Sequence, residues 1–107
     1  MKKLSLIFSV ALLSTPVLAA DVDADAAKAM LKKNDCFKCH AMDKKKDGPA
    51  YKKVAEKHKG KADAEEKLFK HVTTSPMVEI DGKKEEHKAI KGSEADIRNT
   101  LRWILSL

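Results

Sequence analysis

Beyond residue 19, this chain is short of material for an interior. Of the 88 residues from 20 to 107, 15 are Leu, Ile, Val or Phe, while 36 are Asp, Glu, Lys or Arg. Highly charged chains with less than ~20% of those four apolar types tend to stay disordered, and a domain this small struggles to bury enough surface even with an ordinary core. Either the segment is disordered or something other than side chains fills its middle. That excludes a large self-sufficient enzyme core and makes a bound prosthetic group the first thing to seek. The boundary at 19 comes from the N-terminus. Lys2 and Lys3, the apolar stretch Leu4 to Leu13 and the small-residue exit Pro16-Val17-Leu18-Ala19-Ala20 read as a secretory signal peptide over 1–19, cleaved after Ala19 or Ala20. The apolar stretch is too short to span a membrane and nothing later approaches ~20 apolar residues, so a single exported domain over 20–107 without stable membrane insertion is expected.

Both cysteines fall in one cluster, Cys36-Phe37-Lys38-Cys39-His40. A structural zinc site needs four ligands at matched spacing, and His58, His71 and His87 are not arranged as a finger. A thioredoxin-like redox pair opens a helix within a βαβ pattern, and no such run of strands is legible. Cys-x-x-Cys-His is also the signature of covalent haem c attachment. The two thiols would add to the vinyl groups, Cys36 and Cys39 being spaced to match them, and the adjacent His40 would bind the iron from one face. This third reading suits an exported chain with no other cysteine and too little core.

Along the chain, Asp21 to Asp25 read as a solvated lead-in, Ala26, Ala27, Met30 and Leu31 recur at helical intervals over 25–34, and Asn34 with Asp35 breaks that helix. A polar loop runs to Gly48-Pro49. Tyr51 to Lys59 gives a second helical pattern stopped by Gly60, and Ala62 to Val72 a third, with Leu68, Phe69 and Val72 on its apolar side. Asp81-Gly82 between Met77–Ile80 and Lys83–Glu86 is a two-residue hairpin signal. That turn pairs Ile80 with Lys83, Met77 with Glu86 and Pro76 with His87. Ser93 caps the clearest helix, with Glu94 and Asp96 in its first turn and Ile97, Leu101, Ile104 and Leu105 as its stripe. The fold class is all-α with one small hairpin.

The segment from Cys36 through Gly48-Pro49-Ala50-Tyr51 to Gly60, and the ending Ala95-Asp96-Ile97 to Leu107, resemble class I c-type cytochromes, in particular the small bacterial cytochrome c-551/c-552 group. The likeness covers nearly all of 20–107 and is weakest over about 71–92. It implies about four helices around one covalent haem c per chain, N- and C-terminal helices packed across one another, and an exposed haem edge. It further implies that the Pro49 carbonyl accepts a hydrogen bond from the His40 ring, which fixes the tautomer and raises donor strength. Phe37 and Trp103 are expected in the core.

The distal ligand departs from the group. Its usual methionine stands 16 residues before the tryptophan of the last helix. Here His87 occupies that position, whereas Met77, which follows Pro76, lies 26 residues before Trp103. His87 is therefore the expected distal ligand, with Met77 the alternative, because the hairpin brings both to one end of the ribbon. A Met77 that does not ligate is expected to line the haem pocket, His58 and His71 to sit at the surface or a helix edge, and Met42 to pack within its loop. Lysines gather at 44–46, at 52, 53, 57, 59 and 61, and at 83 and 84, suiting redox partners with acidic docking surfaces; nucleic-acid binding is not expected. The expected function is that of a periplasmic, monomeric, monohaem one-electron carrier and not an enzyme. The alternative is a haem-based ligand sensor or peroxidase-like protein with a displaceable distal ligand.

Overall fold

The computed structural model describes residues 21–107; the signal peptide expected over 1–19 lies outside them. Four helices, α1 (Ala24–Lys33), α2 (Tyr51–His58), α3 (Ala64–Thr73) and α4 (Glu94–Leu105), are joined by a 3-10 turn over Cys36–Lys38 and a hairpin of β1 (Met77–Ile80) and β2 (Lys83–Glu86). No described helix is long and apolar enough to cross a membrane.

The helices are where the apolar periodicity puts them, and their ends follow capping chemistry. Asp23, which the sequence offered only as part of a polar lead-in, caps α1: its carboxylate accepts from the Ala26 N–H at 2.9 Å. Gly60 follows α2 with φ of 75°, the left-handed conformation that a helix-terminating glycine adopts without a Cβ penalty. Ser93 accepts from the Asp96 N–H at 3.1 Å and starts α4.

Each of α1, α2 and α3 packs on α4, and the crossing of α1 with α4 is the most extensive. Ala27 of α1 is fully buried there, beside Leu31, Ile97, Leu101 and Ile104. A small residue at a crossing lets two helices approach closely without a void, as interior packing density demands. Asn99 staples the same crossing, accepting from the Asp23 N–H and donating to the Asp23 carbonyl, both at 2.9 Å. Trp103 is buried, as expected, with the Lys28 ammonium 5.7 Å from its ring centre. On the other flank, Arg98 lies over the Phe69 ring at 4.3 Å and bonds Glu65, Glu66 and Glu94, while Arg102 bonds Glu65 through two nitrogens. The result is a polar clamp of α3 onto α4.

The hairpin has the expected register, Met77 opposite Glu86 through Ile80 opposite Lys83. Its turn takes positive φ at both Asp81 and Gly82, the geometry that matches the twist of two paired strands. Its extensive contacts are within itself. The segment after it is tied down instead: the Ile90 N–H donates to the Val72 carbonyl at 2.8 Å, and Asn34 bonds both backbone groups of Lys91. Asn34 is thus more than the helix breaker the sequence suggested. It is a buried cross-link between residues 57 positions apart.

Candidate functional site

The first half of the site is built by local backbone. Asp35 adopts φ of 59°, turning the chain out of α1. Cys36–Lys38 then forms a 3-10 turn, with the Cys39 and His40 N–H groups both donating to the Cys36 carbonyl at 3.2 and 3.0 Å. In a 3-10 turn residues i and i+3 eclipse one another, so both thiols project from one side. Neither is in a disulfide, and burial pushes the Cys36 thiol pKa up. The sequence had not signalled this turn as an element.

His40 follows at once and is held on several sides. Its Nδ1 lies 2.7 Å from the Pro49 carbonyl oxygen. A carbonyl cannot donate, so Nδ1 carries the proton and Nε2 keeps a free lone pair. Tyr51 stacks on the ring at 4.8 Å between centres. Gly48 backs it so closely that a Cβ would sit 2.5 Å from Cε1, a contact no alanine could make without displacing the ring. The Gly48 N–H in turn donates to the Cys39 carbonyl at 2.7 Å.

The second half comes from the hairpin. The His87 N–H donates to the Pro76 carbonyl at 2.8 Å, adding one more rung to the ladder. Side chains alternate between the faces of a ribbon, and β1 alternates too: Met77 and Glu79 are exposed, Val78 and Ile80 half-buried. Pro76 and its partner His87 share the inward face with Val78. Met77 is on the outward face and is 58% exposed, so the expectation that it lines the pocket is not met. The two candidates do reach the same end of the ribbon, but on opposite sides.

His40 and His87 face one another with ring centres 6.1 Å apart. Between and beside them lies a cavity of about 740 Å³, lined by Cys36, Cys39, His40, Pro49, Val78 and His87 among others, with Leu31, Leu101 and Ile104 as its apolar floor. That volume is typical of a site for a cofactor-sized molecule. The His87 Nδ1 is buried with no hydrogen-bond partner. Burial, followed by His71 and then His40, holds the His87 pKa below its ordinary value, so the ring is neutral near pH 7, as a metal ligand must be.

His71 and His58, expected at the surface or a helix edge, are half-buried at the cavity side of α3 and α2. His71 sits 4.5 Å from the His87 ring and lines the cavity, as does His58 with a buried, unpartnered Nδ1. The signal was present: His71 falls one turn from Leu68 and beside Val72, and His58 one turn from Val54, on the inward faces of α3 and α2. Met42, expected to pack within its loop, packs against the core instead. Lys38, Lys53, Lys57, Lys67 and Lys88 border the cavity, although Lys38 and Lys88 share Asp35 and Lys53 and Lys67 pair with Glu56 and Asp63.

The donor set fits a haem clamped between two imidazoles. Metal–imidazole bonds of about 2 Å on opposite sides of one ion put the ring centres about 6 Å apart. The rival readings lack their frameworks. Among the described residues no group of three or more His, Cys, Asp or Glu gathers to hold an ion, and the one sheet is an antiparallel pair, without the parallel unit of a thioredoxin.

Comparison with known proteins gives the family. The cytochrome c family model matches residues 24–107. The chain is 33% identical over 90 residues to cytochrome c-551 of Pseudomonas aeruginosa, covering 84% of this chain and 85% of that one. It is 34% identical over 88 residues to cytochrome c-552 of Nitrosomonas europaea, covering 82% and 81%. Among solved structures, the class 1 cytochrome MtoD from Sideroxydans lithotrophicus ES-1 superposes with a TM-score of 0.79 at 57% identity, covering 80% of this chain and 97% of that chain. Wild-type Nitrosomonas europaea cytochrome c552 gives 0.62 at 32% identity, over 79% and 99%. The chain belongs to the cytochrome c family, as a small class I member with one covalent haem c per chain and the role of an electron-transfer protein.

Proposed function

We propose that this chain is a periplasmic, monomeric one-electron carrier whose haem is tethered by Cys36 and Cys39 and ligated by His40 and His87. The observation that carries it is that two imidazoles, His40 and His87, stand with ring centres 6.1 Å apart at the cavity that holds both cysteines. The family supports the carrier role.

When bound, the haem iron supplies a one-electron couple. The protein's part is to hold that couple with little rearrangement. His40 offers Nε2 while its Nδ1–H donates to the Pro49 carbonyl, and that bond increases the basicity of the coordinating nitrogen. His87 enters from the inward face of the hairpin, already neutral. Two imidazoles favour the ferric state more than an imidazole–thioether pair does, and axial ligation works within a haem range of ~0.8 V, so His87 lowers the potential relative to a methionine there. Val78, Ile80 and Ile90 give the cavity apolar lining near His87. If His40 and His87 both ligated the iron, they would leave it no position for a substrate.

The lysines at the cavity rim suit a partner with an acidic docking surface. Asp35, Asp47, Glu79, Glu85 and Glu86 share that lining, so the steering charge falls to the lysines without a carboxylate beside them, Lys57 at the rim and the run Lys44 to Lys46 beyond it; exposed pairs contribute little to stability. Purified full-chain protein is expected to exchange electrons with a fast small-molecule donor and to leave carbon monoxide and cyanide largely unbound. Its exchange with a protein partner should slow steeply as salt rises. Rapid, stoichiometric uptake of either ligand would favour the sensor or peroxidase-like reading.

A further inference from the structure

We propose that Tyr51 is a positioning residue: its ring fixes the rotation of the His40 imidazole about the bond that His40 makes to iron. This rests on the assignment of His40 as a ligand made above, and goes beyond it by naming what sets the angle of that ligand.

Three observations converge on Tyr51. Its ring lies 4.8 Å from His40 at an interplanar angle of 18°, a stacked arrangement. It is 5% exposed and is backed edge-on by Phe37, with centres 6.1 Å apart and planes at 79°. Its own N–H donates to the Ala41 carbonyl at 2.9 Å, so the backbone bearing the stacking ring is tied to the residue next to His40. The Pro49 carbonyl does not do the same job. A single hydrogen bond tolerates wide angular departure before it weakens, so it anchors one atom of the imidazole and leaves the ring free to tilt. A flat aromatic face, itself pinned from behind, removes that freedom.

The angle has a chemical consequence. An imidazole overlaps the iron d orbitals through the π system perpendicular to its plane. With both rings bound to iron, the angle between their planes, 52° between His40 and His87 here, would govern how those orbitals split. A ring held at one angle gives one sharply defined electronic ground state, whereas a ring that rocks gives a distribution.

The test is electron paramagnetic resonance and proton NMR of the oxidised, haem-loaded full chain, in the parent protein and in Tyr51→Phe, Tyr51→Leu and Tyr51→Met. Tyr51→Phe keeps the flat face and is expected to reproduce the parent g-values and haem-methyl shifts. Tyr51→Leu and Tyr51→Met are expected to shift and broaden both while remaining low-spin. A non-aromatic variant with parental g-values and only a lower melting temperature would overturn the proposal, reducing Tyr51 to packing. If the non-aromatic variants fail to take up haem, the parent decides. Haem-methyl shifts that orient the His40 plane along the Tyr51 ring support the proposal, and an imidazole turned across that ring overturns it. A parent with no low-spin signal at all is a separate result: it removes the ligation assignment, and this proposal with it.

Discussion

The two sides of the cavity are built by opposite means. On the proximal side, residues 34–51 hold His40 by short-range contacts: a 3-10 turn, a glycine with no room for a methyl, a proline carbonyl and a stacked tyrosine. On the distal side, His87 depends on the parity of a hairpin whose extensive contacts are with itself, anchored only by the segment that follows it. A locally built ligand is specified by a contiguous motif. A ligand placed by parity depends on every residue between the turn and itself, because slipping a strand by one position sends each side chain to the other face.

The sharpest way to break this contrast is to alter the hairpin length. Deleting Lys84 keeps the Asp81-Gly82 turn but moves His87 one position, and so to the outward face. The low-spin spectrum is expected to collapse to that of a five-coordinate or ligand-binding haem, as in His87→Ala, with the covalent attachment intact. Met77→Ala, which alters only the outward face, should leave the spectrum unchanged. His87→Met keeps six-coordination and should raise the midpoint potential by on the order of 0.1 V, within the ~0.8 V that haem axial ligands and surroundings command; voltammetry checks it.

The tie between the two sides should cost less. Asn34→Ala removes two part-buried hydrogen bonds to the Lys91 backbone, at about 1 kcal/mol each by denaturant titration, and should loosen the distal side before the proximal. Gly48→Ala places a methyl 2.5 Å from Cε1 of His40. Overpacking of this kind costs about 1–3 kcal/mol, and the displaced ring should also change the spectrum.

The smallest effect lies away from the haem. The Arg102 guanidinium, and then Arg98, hold the Glu65 carboxyl below the usual carboxylate range against the opposing effect of burial. A depressed carboxylate contributes stability that is fully present above its unfolded value of ~4.3 and is lost as pH falls through the folded one. Glu65→Gln should therefore cost about 1 kcal/mol at neutral pH and nearly nothing once acidification has protonated the parent, as thermal melts against pH would record.

Much of the proximal side was legible because its rules are local. Cys36, Cys39 and His40 stand in one pentapeptide and Pro49 in a nearby loop, and the helices announce themselves by periodicity and by Ser93 and Gly60. The hairpin register was legible too, since a two-residue turn fixes it. What escaped was the consequence of that register for Met77, which required following alternation back from the half-buried face. Asp23 escaped because it is one of three aspartates in a polar lead-in, and only the folded Asn99 explains why that one caps α1. The inward side of His71 was legible from its spacing to Leu68 and Val72, but not that the hairpin would bring His87 beside it.

The central claim is that His87, and not Met77, faces His40 across the haem. It is tested most directly by the far-red absorption and electron paramagnetic resonance of the oxidised full-chain protein. The account predicts a low-spin signal of two imidazoles with no methionine-to-iron charge-transfer band. A thioether band in the parent that disappears in Met77→Ala would contradict it.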